Sequence, residues 1–340
     1  MLDVDGRMNG SSPMSPPQVL EALRLMLLSR AVDERLIKLQ RMGRVGVYGP
    51  VHGQEAAVIG SAMALDPQRD WMVPASREHP AMLRHGLPLK NMFATYMGNF
   101  DAASIPDGVR LLPRQQSIGA QLPHAAGLAW ALKLREIRGV VAVYFGEGAS
   151  SEGDFHEASN LAGVMRVPLV MLLINNHYAI STPTSRQTAA RSLARRAEGY
   201  GFPGFEVDGN DLLAVYATTL EAVNRALAGE GPTLIECRTY RMGFHNTSDN
   251  PKEYREPSEV AEAERRDPIE RVRRYATAEG LWSGEQEART MDEIRAEIDA
   301  AQAQVEELPR PGAASIFKHV YAALSPRLEQ QRDAAVDEAT

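Results

Sequence analysis

The feature that most constrains this chain is a pair of short, unbroken apolar runs, residues 140–145 (VVAVYF) and 169–174 (LVMLLI). A strand with one wet face alternates apolar and polar side chains. A run that is apolar at every position is covered on both faces, as in a parallel sheet held between helix layers. The stretch between the runs, to about Met165, has helical character. A third run, 232–237 (PTLIEC), follows a helical stretch at 212–228, and 71–74 (WMVP) resembles a short strand. Strands separated by helices form right-handed βαβ units. The expected fold class is therefore α/β, a mostly parallel sheet with helices on both faces.

Helical patterning surrounds that sheet. Pro16-Pro17 opens a helix, proline being tolerated in the first turn. Leu20, Leu23, Leu27 and Ala31 then keep the spacing of one buried face, continuing to about Met42. Residues 54–64, 88–97 and 123–134 also read as helices, and after about 257 the strand signals stop. There, 258–280, 285–308 and 316–324 have helical patterns. Residues 1–17, rich in Gly, Ser and Pro, are expected to be a disordered or loosely docked arm. Residues 18–330 are expected to form one domain, with an N-terminal helical arm and a C-terminal helical segment, and 331–340 a tail.

Composition narrows the function by exclusion. Lys plus Arg is 37 and Asp plus Glu is 44, a net charge of −7, which argues against a nucleic-acid binder with its usual basic face. No run of about 18 uncharged apolar residues suggests a membrane span. The single cysteine, Cys237, excludes an intrachain disulfide framework and a cysteine-based zinc site. The opening MLDVDGR carries Asp3 and Asp5, unlike a signal peptide or an organelle leader, so a cytoplasmic location is expected.

The chemistry concentrates where the two apolar runs end. The first leads into Gly146-Glu147-Gly148-Ala149 and the second into Asn175-Asn176-His177-Tyr178, with 26 residues (149–174) between Gly148 and Asn175. In a βαβ unit the carboxyl ends of both strands lie on one sheet edge, where open α/β sheets bind ligands. Glu147 and Asn176 should converge there. Carboxylate, amide and carbonyl oxygens suit a hard divalent cation, and Mg²⁺ commonly takes one or two protein oxygens plus phosphate oxygens. The two glycines let the backbone come close to such phosphates.

This combination resembles the thiamine-diphosphate motif, and the text around it, 144–154 (YFGEGASSEGD) and 175–184 (NNHYAISTPT), resembles the α subunit of the 2-oxo acid dehydrogenase E1 component. Further blocks at 52–56 (HGQEA), 119–123 (GAQLP), 207–211 (VDGND), 231–235 (GPTLI) and 239–255 (TYRMGFHNTSDNPKEYR) extend the resemblance over nearly the whole chain. It implies thiamine diphosphate and Mg²⁺ as cofactors. Glu147 and Asn176 would be metal ligands through their side chains and Tyr178 through its backbone carbonyl. Gly148 and Ala149 would touch the diphosphate, and Arg77 would grip it. The backbone around Ile118 would hold the aminopyrimidine. His245 would be the catalytic histidine of a loop closing over the diphosphate, positioning the cofactor and assisting acylation of the lipoyl group. Arg241 and Asp249 are expected to order that loop.

The implied function is oxidative decarboxylation of a 2-oxo acid and reductive acylation of a lipoylated E2 acyltransferase. An α2β2 heterotetramer would perform it, its β subunit supplying the glutamate that activates the aminopyrimidine. Gly-Glu-Gly-Ala and Ser-Glu-Gly-Asp lean toward branched-chain 2-oxo acids, and Gly119-Ala120-Gln121 toward pyruvate. The alternatives are an acetoin-cleaving α subunit and a non-catalytic thiamine-diphosphate-binding assembly subunit. A nucleotide-dependent enzyme is disfavoured, because no strand leads into Gly-x-Gly-x-x-Gly and no Gly-x-x-x-x-Gly-Lys-Ser/Thr occurs. The chain departs from the family at four single positions and in one segment. Ser76 replaces a common Tyr, Gly119 and Ala120 replace potassium-binding Ser and Thr of branched-chain relatives, residues 101–113 are shortened, and Asn246 replaces a regulatory phosphoserine of mitochondrial relatives.

Overall fold

Five strands form one sheet in the computed structural model, which describes residues 1–337. The strands of the chain are β1 (Trp71–Val73), β2 (Val141–Gly146), β3 (Leu169–Asn175), β4 (Tyr178–Ala179), β5 (Thr182–Pro183), β6 (Gly204–Asp208) and β7 (Thr233–Arg238). The sheet order is β1-β2-β3-β7-β6 and every neighbouring pair is parallel. Strands β4 and β5 make a small antiparallel pair beyond the end of β3. The two apolar runs are neighbours, paired from Val141↔Leu169 to Gly146↔Ile174. Their loops therefore leave the same edge side by side.

The helices are α1 (Pro16–Arg41), α2 (Glu55–Met63), α3 (His79–Arg84), α4 (Leu89–Tyr96), α5 (Gln121–Leu134), α6 (Gly153–Met165), α7 (Leu212–Leu227), α8 (Pro257–Glu264), α9 (Pro268–Ala278), α10 (Gly284–Glu306) and α11 (Pro326–Asp337). Alternation along the strands divides the core. Val141, Val143 and Phe145 of β2, with Leu169, Met171 and Leu173 of β3, pack with Ala125, Ala129 and Phe155 of α5 and α6. Ala142 and Tyr144, with Val170, Leu172 and Ile174, meet α1, α2 and α7 on the other face through Leu23, Ile59 and Val215. Each large aliphatic or aromatic side chain buried this way contributes about 1.5–3 kcal/mol. The fold class expected from the sequence is thus the one found.

Several local expectations need correction. The arm at 1–17 is docked, not loose: Leu2 is 4% exposed, its N–H donates to Asp211 at 2.7 Å, and Arg271 donates to the carbonyls of Leu2 and Asp3. The helix expected over 258–280 is two, because Asp267 caps α9 by accepting from the N–H groups of Ile269 and Glu270, with Pro268 in its first turn. The segment 316–324 is not an α-helix. A 3₁₀ turn at Ala313–Phe317 overlaps its start, and the last helix begins at Pro326, since a residue before proline avoids helical geometry. Most of the expected tail, 331–337, belongs to α11, and residues 338–340 lie outside the described residues. Strand β6 was not anticipated; it is an edge strand with mostly half-exposed side chains and lacks an apolar run.

Candidate functional site

The parallel pairing of β2 and β3 sets Glu147 and Asn176 at adjacent strand ends. Glu147 is 2% exposed. Its Oε2 accepts the N–H of Asn176 at 3.3 Å, whereas its Oε1 is buried without a hydrogen-bond partner. Burial pushes the Glu147 carboxyl above its ordinary value, against backbone hydrogen bonds including that from Asn176 and the nearby charges of Arg241 and Arg77, which act in the other direction. A buried carboxylate oxygen with no donor is costly, and a cation would remove that cost. Asn176 is fixed as well: its amide donates to Gln54 at 3.0 Å, leaving Oδ1 to accept only the N–H of Tyr178 at 3.2 Å. The carbonyl of Tyr178 accepts from Arg241 Nη1 at 2.9 Å, which leaves its second lone pair.

The first asparagine of the pair has a different task. Asn175 donates to Glu236 at 2.7 Å and accepts from His177 N–H and the Thr184 hydroxyl, so it shapes the turn. That turn holds His177 at φ +73°, the left-handed region that side chains normally avoid. Gly148 opens a short 3₁₀ turn, Gly148–Ser151. A Cβ there would lie 2.9 Å from the Cβ of Ala179, so glycine is what lets the two loops meet.

The opposite wall is built from loops. Arg77 donates through Nε to the carbonyl of Pro50 at 2.9 Å and through Nη2 to the carbonyl and Nδ1 of His245. Because Nδ1 faces a guanidinium donor, the neutral ring carries its proton on Nε2. Burial, then Arg77 and Arg241, pull His245 from 6.5 to about 4. It is therefore a neutral hydrogen-bond donor near pH 7 rather than the neutral-pH titrating group that a histidine alone suggests. Its loop is ordered as expected. Asp249 accepts from His245 N–H and from the Tyr254 hydroxyl, both at 2.6 Å, while Arg241 donates to the carbonyls of Tyr178 and Ile180.

One cavity of about 1270 Å³ is lined by all eight residues singled out from the sequence: Arg77, Ile118, Glu147, Gly148, Ala149, Asn176, Tyr178 and His245. Ile118 sits on its wall with a side chain 61% exposed. Among the described residues no group of three His, Cys, Asp or Glu forms a metal cage. A cation here would rely on one carboxylate, an amide oxygen, a carbonyl and oxygens of its ligand. Two lining residues were missed. Gln54 lies in the HGQEA block and orients Asn176 from 122 positions away, and Arg114 carries a second guanidinium. The other expectation for a reactive group, that Cys237 is core, holds: it is fully buried in β7.

Sheet, strand-end pair and cavity together define an α/β protein of the thiamine-diphosphate-binding class. Residues 23–314 match the dehydrogenase E1 component family, and the chain belongs to it. It is similar to the pyruvate dehydrogenase E1 component subunit alpha of Staphylococcus epidermidis, 41% identical over 335 residues, covering 97% of this chain and 90% of that protein. Its similarity to the protein of the same name from Staphylococcus aureus is 42% over 319 residues, covering 94% and 86%. These findings bear out the reading of the chain as an α subunit of a 2-oxo acid dehydrogenase E1 component, part of an enzyme, and the family implies thiamine diphosphate.

Proposed function

We propose that this chain supplies the diphosphate- and Mg²⁺-binding half of an active site that oxidatively decarboxylates pyruvate. The observation that carries the reading is the buried, unpartnered Glu147 Oε1 beside Asn176, in a cavity shared with Arg77 and His245. These residues fit the cofactor. Glu147, Asn176 Oδ1 and the Tyr178 carbonyl hold Mg²⁺, a hard ion suited to oxygen donors. Arg77 grips diphosphate oxygens, and the backbone of Gly148 and Ala149 lies against them. Ile118 gives the cofactor an apolar wall. His245, neutral with its proton on Nε2, donates a hydrogen bond to the cofactor or to the arriving lipoyl group. When bound, thiamine diphosphate supplies the electron sink for decarboxylation.

The pyruvate assignment rests on the relatives' names and on Gly119-Ala120-Gln121. It is placed ahead of the branched-chain acids toward which Gly-Glu-Gly-Ala leans. The partners are an E1 β subunit in an α2β2 assembly and a lipoylated E2. The test is co-expression with the cognate β subunit and decarboxylation assays with pyruvate, 2-oxoisovalerate and acetoin. Pyruvate should show the highest kcat/KM. A clear preference for 2-oxoisovalerate would return the substrate to the branched-chain class, and full activity of the isolated α chain would refute the two-subunit site.

A further inference from the structure

Three guanidinium groups on the cavity wall have no carboxylate within ion-pair distance among the described residues: Arg186, which is exposed, and the half-buried pair Arg77 and Arg114. The two of the pair are held differently. Arg77 commits Nε and Nη2 to the Pro50 carbonyl and to His245. Arg114 uses Nη1 alone, donating to the Tyr96 hydroxyl at 2.5 Å and to the Ser76 carbonyl at 3.3 Å. Its guanidinium carbon stands 4.6 Å from the centroid of the Tyr96 ring. That ring is itself fixed, packed edge-on against Tyr48 at 4.8 Å, whose hydroxyl donates to buried Asp33 at 2.5 Å. Arg114 is thus a cation on a rigid aromatic platform. Its Nε and Nη2 make no hydrogen bond to the described residues. Those two parallel N–H groups form the edge of the guanidinium that matches the paired oxygens of a carboxylate.

We propose that Arg114 anchors the carboxylate of the 2-oxo acid substrate. The proposal rests on the function argued above, in which Arg77 and the cation meet the diphosphate. The substrate brings a separate negative charge, which must find its own partner when it leaves water. Tyr96 and Ser76 position Arg114, so little side-chain entropy is lost when the carboxylate arrives.

The test assembles α chains carrying Arg114→Gln or Arg114→Lys with the wild-type β subunit. It measures pyruvate kinetics, turnover of uncharged acetoin, and the calorimetric Kd of thiamine diphosphate with Mg²⁺. Arg114→Gln should raise KM for pyruvate about 10- to 100-fold, the range for losing a hydrogen bond to a charged group. Acetoin turnover, the cofactor Kd and the melting temperature should stay at wild-type values. Arg114→Lys, charged but without the fork, should fall between. An unchanged pyruvate KM in Arg114→Gln would overturn the proposal. So would a cofactor Kd weakened in step with KM, because Arg114 would then serve the diphosphate. A wild-type assembly that turns over no 2-oxo acid would overturn the parent function along with it, whereas wild-type turnover with an indifferent Arg114→Gln overturns this proposal alone.

Discussion

The two walls of the cavity are made by different means. On one, Glu147 and Asn176 sit at the ends of neighbouring parallel strands, and the sheet register alone brings them together. On the other, Arg77 and His245 ride on loops and are placed by side-chain contacts to carbonyls and to each other. The strand wall is fixed by backbone pairing that tolerates changes in its neighbours. The loop wall depends on a few polar groups whose loss moves several others.

Substitutions can separate the two. The largest effect is expected from Glu147→Ala, which removes the buried carboxylate of the strand-end pair. Losing a group that merely orients a metal ligand costs about 10- to 100-fold in affinity, so losing the ligand should cost at least about 100-fold. Calorimetric titration with Mg²⁺ and thiamine diphosphate would measure it, and unchanged Mg²⁺-dependent binding would remove Glu147 from the site. Arg77→Lys keeps the charge and loses the fork, and cofactor affinity should drop about 10-fold. A drop equal to that of Glu147→Ala would mean the two walls act as one unit.

Asp249→Ala should affect the loop wall only. It removes the acceptor for His245 N–H and the Tyr254 hydroxyl. Acyl transfer to the lipoyl group should slow about 10-fold, while the melting temperature moves by no more than about 1–2 °C, the shift for roughly 1 kcal/mol in a chain of this size. A large loss of stability instead would recast Asp249 as a fold residue.

The smallest effect concerns acid stability. His79, fully buried behind the loop wall, is pulled from 6.5 to about 3, mainly by burial and further by Arg114 and Arg77. The folded chain keeps it neutral and the unfolded chain protonates it below about 6.5. Its contribution is therefore complete above that pH and is lost as pH falls toward 3, at up to about 1.4 kcal/mol per pH unit. The adjacent Asp33 carboxyl, 3.7 Å away, gives no ion pair in that window, because burial pushes it up to about 7. His79→Gln should shrink the fall in melting temperature between pH 7 and pH 5, and an unaltered slope would show that His79 does not carry it.

The same contrast explains what was legible in the sequence. The runs at 140–145 and 169–174 declare a sheet buried on both sides, and the spacing from Glu147 to Asn176 is one βαβ crossover, so the strand wall could be read locally. Arg77 and His245 were reached only through resemblance to a family, since nothing near either residue announces that they touch. The depressed proton affinity of His245 was unreadable for the same reason: after burial, its causes are Arg77 and Arg241, the first 168 residues away. Gln54 lay in a quoted block, yet its hold on Asn176 spans 122 positions. The break between α8 and α9 was legible in principle, because Asp267-Pro268 is a helix-start signal that the continuous amphipathic pattern concealed.

The separation in sequence between contacting groups also orders events in time. Glu147 and Asn176 meet across 29 positions, whereas Arg77 and His245 meet across 168. Closing the longer segment costs about 1.5 kcal/mol more chain entropy, and contacts of long range form late when a chain folds. A newly made chain should therefore possess its carboxylate–amide corner before its arginine–histidine latch. The latch is the last part of the cavity to mature.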